Sequence, residues 1–228
     1  MIIVGSGLIA KALDKIPSND DFLIFASGVS DSCETREVEF QREIDLIQES
    51  LQRNKKLIYF SSLDVVLRKD KFNSYLRHKL NVEKILEKKS AIVLRLPQLV
   101  GSRQNKKNLI PYLYNKIVNK KEFELKINYL RNLVDINDLS KIVECLIKKN
   151  NYSEKYLNIF NPKFIKILDI IRIIERLSNT KAIYTISEES FEINNLTVSD
   201  EYLSFLKESS VEFHSLYNID LIKKYFFN

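Results

Sequence analysis

The opening of the chain constrains its fold most. Met1 to Val4, a short apolar strand, runs into Gly5-Ser6-Gly7 and then into an amphipathic stretch, Leu8 to Ile16, that ends near Pro17. A strand that breaks on glycines and restarts as a helix begins a strand–helix–strand unit, and the alternation continues. Phe22 to Ala26 reads as a second strand, followed by the turn Ser27-Gly28-Val29-Ser30. A long polar helix from about Glu34 to Gln52 comes next, with Val38, Ile44, Ile47 and Leu51 as its inner face. Lys56 to Phe60 is a third strand, Tyr75 to Lys88 a helix, and Ala91 to Leu96 a fourth strand. Parallel returns need crossover connections, so this order predicts an α/β fold, a parallel sheet with helices on both faces.

Beyond Pro97 the pattern loosens. We expect a helix from about Lys107 to Asn119, a strand pair near Glu122 to Lys126 and Tyr129 to Val134, a helix from Ile136 to Lys148 and a last core strand from Tyr156 to Phe160. A helix around Ile167 to Leu177 and two short ones near Asp200 and Asp220 complete the chain. With 228 residues and 45% hydrophobic content, one large domain is expected. Its core is read as 1–160, and 161–228 as a small C-terminal lobe that is not an independent domain.

Cys33 and Cys145 lie far apart in helical-looking segments, which suggests reduced cytoplasmic thiols and neither a disulfide framework nor a metal site. No apolar run is long enough to span a bilayer, and the chain opens on a strand with no basic leader, so a cytoplasmic protein is expected. The net charge of +6 is spread as Lys-Lys pairs. A solvated surface is the plain reading of such a diffuse field; it would also steer a phosphate-bearing ligand, and it lacks the aromatic interleaving of a nucleic-acid surface.

Gly5, Gly7 and Ala10 form a G-x-G-x-x-A turn directly after the first strand. Glycines there let the backbone approach a pyrophosphate, with amides at the helix start facing the anion. The same residues also suit a plain tight turn. Tyr75 and Lys79 share one helix face, thirteen residues after Ser62 at the end of a strand. An ammonium near a phenol favours its ionised form, which would let Tyr75 act as acid or base toward a carbinol or ketone oxygen. A surface tyrosine and a surface lysine are the plainer alternative. His78 and His214 have no matching ligand set and read as surface residues, and no metal is expected.

Ser61-Ser62 followed by Tyr75-Leu76-Arg77-His78-Lys79-Leu80-Asn81-Val82-Glu83-Lys84 resembles the serine, Tyr-x-x-x-Lys and following helix of extended short-chain dehydrogenases. Val93 to Gly101 resembles that family's strand and loop beside the nicotinamide. Leu133 to Leu139 resembles its late strand-to-helix turn, and Tyr156 to Phe160 the strand that follows. The resemblance runs from Ile2 to about Leu177 and points to the epimerase/dehydratase branch.

The resemblance implies a Rossmann fold, NAD or NADP with NADP slightly favoured, and a nucleotide-linked sugar as substrate. A keto-sugar reductase is preferred over an epimerase, in surface polysaccharide precursor synthesis. It gives Ser62, Tyr75 and Lys79 catalytic roles. It places the cofactor against Gly5, Ser6, Gly7, Leu8, Ile9, Ala26, Ser27, Gly28, Lys79 and Pro97, and the substrate against Asp64, Arg103 and Arg131. It also implies a homodimer through the two long helices, with Phe40 and Leu76 facing outward.

Two intervals depart from the family. Between the opening helix and Phe22 there is no room for the two strands and helix that normally carry the adenosine ribose contact, and Asp20 or Asp21 is left as a substitute. The interval from Ser62 to Tyr75 is also short. A non-catalytic nucleotide-binding or regulatory protein is the alternative reading.

Overall fold

Residues 1–68, 72–102, 106, 108–126, 130–150, 154–187, 196 and 198–227 are described by a computed structural model. The elements in chain order are β1 (Ile2–Val4), α1 (Leu8–Leu13), β2 (Phe22–Phe25), α2 (Glu37–Leu51), β3 (Lys56–Ser62), α3 (Asp64–Leu67), α4 (Ser74–Leu86) and β4 (Ala91–Leu96). They are followed by β5 (Gln98–Val100), α5 (Leu109–Val118), β6 (Phe123–Lys126), β7 (Leu130–Arg131), β8 (Leu133–Asp135), α6 (Ile136–Lys149) and β9 (Tyr156–Asn158). The last elements are β10 (Ile165–Lys166), α7 (Ile167–Ser178), β11 (Tyr184–Ser187), α8 (Asp200–Glu208) and α9 (Tyr217–Phe226).

The chain divides into two compact units, each built from three segments. One comprises Met1–Pro97, Ile136–Ile159 and Asn194–Glu212; the other comprises Gln98–Asp135, Phe160–Ile193 and Phe213–Asn228. This differs from the contiguous division at residue 160 read from the sequence. Segment 98–135 belongs with the C-terminal part, and α8 belongs with the sheet. Sequence order alone does not reveal such interleaving, because it depends on which segments pack together.

The first unit is the expected parallel sheet, ordered β1-β2-β3-β4-β9. Its strands read as apolar runs because both faces are covered. All four residues of β2 are buried, and Ile3, Ile24, Ile58 and Ile92 stand in register across four strands. On one face Ile47 of α2 and Val82 and Leu86 of α4 pack on Leu23, Phe25, Leu57, Tyr59 and Val93. Helix α1 packs against α6, and the Ser140 hydroxyl donates to the Ala12 carbonyl at 3.2 Å.

The chain passes from α1 through residues 14–21 straight into the neighbouring strand β2. Among the described residues β1 pairs with β2 alone, and its three residues are half-buried.

Among the described residues the second unit holds three two-stranded sheets: β5 with β8 in parallel, β6 with β11 in parallel, and β7 with β10 antiparallel. The strand pair expected from 122–126 and 129–134 is therefore not a pair. Its two halves take other partners, and the second half breaks at Asn132, whose amide donates to the Asn161 carbonyl while its oxygen accepts from the Asn161 N–H. Ile167, Ile170, Ile171 and Ile174 form the buried stripe of α7, and Tyr217, Leu221 and Ile222 of α9 join the same core.

Candidate functional site

The glycine turn and the Ser62, Tyr75 and Lys79 side chains all lie in the first unit, where β1, β2 and β3 end. Gly5 has φ +129°, a conformation that side chains strain to adopt. A Cβ placed on Gly5 would fall 2.4 Å from the Ala26 carbonyl oxygen. This glycine therefore lets the loop after β1 press against the loop after β2, and the Ala26 N–H donates to the Val4 carbonyl at 2.7 Å. Gly7 differs. It precedes α1 at φ −77° and ψ −164°, and nothing lies within 4 Å of a Cβ built on it. Ser6 beside it is exposed, Leu8 and Ile9 open α1, and Pro97 closes β4.

α4 is capped by Asn73, whose side chain accepts from the Leu76 N–H at 3.0 Å. This fixes the start of the helix and with it Tyr75, whose ionisation the nearby Ser62 side chain favours. The Asp64 N–H donates to the Ser62 hydroxyl at 3.3 Å, and the Asp64 carboxylate pairs with Arg68 at 2.9 Å. Lys79 lies one turn further along α4 and is 2% exposed. Its Nζ donates to Glu43 Oε1 at 3.0 Å, to Oε2 at 3.3 Å and to the Tyr59 hydroxyl at 3.1 Å. It stands 5.7 Å from the centroid of the Tyr75 ring.

Glu43 is fully buried on α2 and is the residue that the sequence reading missed. Besides Lys79 it accepts from the Tyr59 hydroxyl at 2.7 Å and the Val29 N–H at 2.6 Å, and it contacts His78 Nε2 at 2.9 Å. Burial alone would raise its pKa, but the ammonium and these donors outweigh burial and hold the carboxyl at about 2. Burial pushes Lys79 down, against the pull of Glu43. The loop after β2 closes over the pair: a Cβ on Gly28 would fall 2.9 Å from both Glu43 Oε1 and Lys79 Nζ. Ser27 in the same loop is held by Arg42, which donates to its carbonyl at 3.1 Å and its hydroxyl at 3.3 Å. A signal for Glu43 does exist in the sequence. Phe40, Glu43, Ile47 and Ser50 share the helical spacing of one face, and a carboxylate on a buried stripe needs a counter-charge.

Several expectations are corrected. Tyr75 is pushed up, by burial first and then by the Glu43 carboxylate, and not toward its ionised form. His78 is buried and Phe40 stacks on it at 4.6 Å; neither is a surface residue, and Leu76 is also buried, so Phe40 and Leu76 do not face outward for a dimer. Val38, expected on the inner face of its helix, is 69% exposed. Asp20 and Asp21 precede β2 and so lie at the amino end of the parallel sheet, opposite the glycine turn; Asp20 there binds the Met1 amine at 2.7 Å. Neither is placed to contact a ribose beside that turn. Arg131 is on β7 in the second unit, and Arg103 lies outside the described residues.

For a dinucleotide, the open surface over Gly7 fits a pyrophosphate, whereas Lys79 donates to Glu43 and Tyr59.

No protein-family model and no curated protein matches the sequence. Solved structures do. RMD from Pseudomonas aeruginosa, complexed with NADPH, is similar at a TM-score of 0.68 and 16% identity over 92% of this chain and 81% of that one. A UDP-glucuronic acid 4-epimerase from Bacillus cereus, in complex with NAD and UDP-4-deoxy-4-fluoro-glucuronic acid, gives 0.69 and 19% over 96% and 79%. A UDP-N-acetylglucosamine 4-epimerase from Methanobrevibacter ruminantium, in complex with UDP-N-acetylmuramic acid, gives 0.67 and 14% over 96% and 78%. Among the described residues no helix is long and apolar enough to cross a membrane. At these identities the likeness establishes the fold: the chain has the Rossmann-type α/β architecture of nucleotide-sugar epimerases and RMD.

Proposed function

We propose that this chain is an NAD(P)-dependent reductase of a keto group on a nucleotide-linked sugar. The observation that supports this reading most is that Ser62 at the end of β3 lies near Tyr75 at the start of α4, in the same unit as the glycine turn after β1. In this reading the backbone from Gly5 to Ile9 receives the pyrophosphate, and Ala26, Ser27, Gly28 and Pro97 flank the rest of the cofactor. The cofactor, when bound, supplies hydride to a carbonyl carbon. Ser62 and Tyr75 hold the carbonyl oxygen, Tyr75 protonates it, and Lys79 sits beneath Tyr75. Asp64, Arg103 and Arg131 are proposed as substrate contacts. The fold it shares with NADPH-bound RMD and NAD-bound epimerase agrees with this chemistry.

A second reading, a nucleotide-binding protein without turnover, is favoured by one observation: Lys79 is buried, with its ammonium engaged by Glu43 and Tyr59. Calorimetric titration with NADH and NADPH, on the wild type and on Gly7→Asp, separates the possibilities. Saturable binding that Gly7→Asp abolishes is the expected result. Absence of binding by both cofactors overturns the reductase and leaves the second reading.

A further inference from the structure

We propose that Glu43 is a positioning residue that keeps Lys79 from Tyr75, so that Tyr75 stands as a proton donor and the site is set for carbonyl reduction, not carbinol oxidation. The proposal rests on the reductase reading. An ammonium has three N–H groups. Within hydrogen-bond reach of Lys79 Nζ are both oxygens of Glu43 and the hydroxyl of Tyr59, and Gly28 packs against the same atoms. The lysine charge is thus cancelled at contact distance before it reaches the phenol.

The remaining charges named around Tyr75 act in the same sense, while Arg42 opposes the carboxylates at Lys79. Glu43 on α2, Asp64 on α3 and Asp31 in the loop after β2 bear on Tyr75, and all are negative. Glu43, Glu83 of α4 and Arg42 of α2 bear on Lys79, and Tyr59 and His78 complete the contacts of Glu43. A phenol in a negative field gives up its proton only to a stronger base, such as the alkoxide that forms during reduction.

In that step the carbonyl carbon gains a C–H bond from the hydride of the reduced dinucleotide, which is oxidised. The π pair moves to oxygen, the Tyr75 O–H bond breaks as its proton passes to that oxygen, and water reprotonates the tyrosinate. The reverse reaction requires a phenolate at the start. An epimerase that alternates oxidation and reduction at one site needs both, and Glu43 opposes one of them.

The test is read on the ligand-free protein, so it stands whether or not a dinucleotide binds; failure of the reductase reading would appear separately, as a wild type that binds neither NADH nor NADPH. The protein is labelled with 3-fluorotyrosine, which brings phenol ionisation into an accessible pH range. The Tyr75 resonance is identified by its loss in Tyr75→Phe and titrated by fluorine NMR. In Glu43→Gln, which removes the charge and keeps the shape, the Tyr75 ionisation constant rises tenfold or more. In Glu43→Gln/Lys79→Met it stays within threefold of the wild type, because a cancelled pair and a neutral pair act alike on the phenol. An unchanged constant in Glu43→Gln overturns the proposal, as does a tenfold fall in the double variant, which would mean that Tyr75 feels the lysine in the wild type. Should Glu43→Gln not fold, the double variant decides alone.

Discussion

The glycine turn and the lysine cluster belong to the same unit and were both expected to bind cofactor, yet they are built in opposite ways. Over Gly7 the surface is open. Lys79 is buried against a carboxylate with four partners, and Gly28 presses on both. A surface that awaits a ligand leaves groups unsatisfied, whereas a buried ionic cluster must satisfy all of them, since an unpaired charge there is costly. The contrast implies that this protein, if it holds a dinucleotide, grips it at the pyrophosphate and leaves the lysine to shape Tyr75.

The largest way to break this contrast is to unpair the cluster. Lys79→Met leaves Glu43 as a buried carboxylate without its counter-ion, and loss of one partner of a buried pair costs about 3–5 kcal/mol. Urea denaturation should show that loss, and the Glu43→Gln/Lys79→Met double variant should recover most of it. A Lys79→Met protein as stable as the wild type would mean that the pair is not closed as described.

Next in size is Gly5→Ala. The residue sits at φ +129°, and its Cβ would overlap the Ala26 carbonyl, so both backbone strain and a collision with main chain oppose the substitution. A destabilisation of about 3 kcal/mol is expected from these two mechanisms together. A loss below about 1 kcal/mol in the same denaturation assay would show that the two loops separate easily and that the close approach does not organise the site.

The central strands were legible because their apolar runs need no tertiary information. Phe22 to Phe25 is buried at every position, and Ala91 to Leu96 has the bounds read from its residues. The short strands of the second unit were not legible. Two- to four-residue segments such as β7, β10 and β11 exist only through partners distant in sequence, as when Ile165 meets Arg131. The site divides in the same way. Gly5, Gly7 and Ser62 follow from their places at strand ends, and Tyr75 and Lys79 from one helical turn. Glu43 meets Lys79 across 36 residues, and that contact depends on α2 and α4 lying side by side over β3, which no local pattern encodes. The failed expectation for Tyr75 has the same root: neither its burial nor the carboxylate beside the lysine shows in the local pattern.

The smallest expected effect sharpens the contrast most. Gly7→Ala places a methyl where nothing lies within 4 Å, at backbone angles that alanine adopts without strain. Thermal unfolding should therefore move little, with stability within about 0.5 kcal/mol of the wild type or slightly higher, because alanine restricts the unfolded chain more than glycine does. The same methyl would stand between the backbone and a bound pyrophosphate, so dinucleotide affinity should fall while stability does not. A variant that keeps both would show that the ligand does not approach Gly7. One that loses more than about 1 kcal/mol would show that the surface over Gly7 is already filled, which would remove the contrast with the lysine cluster.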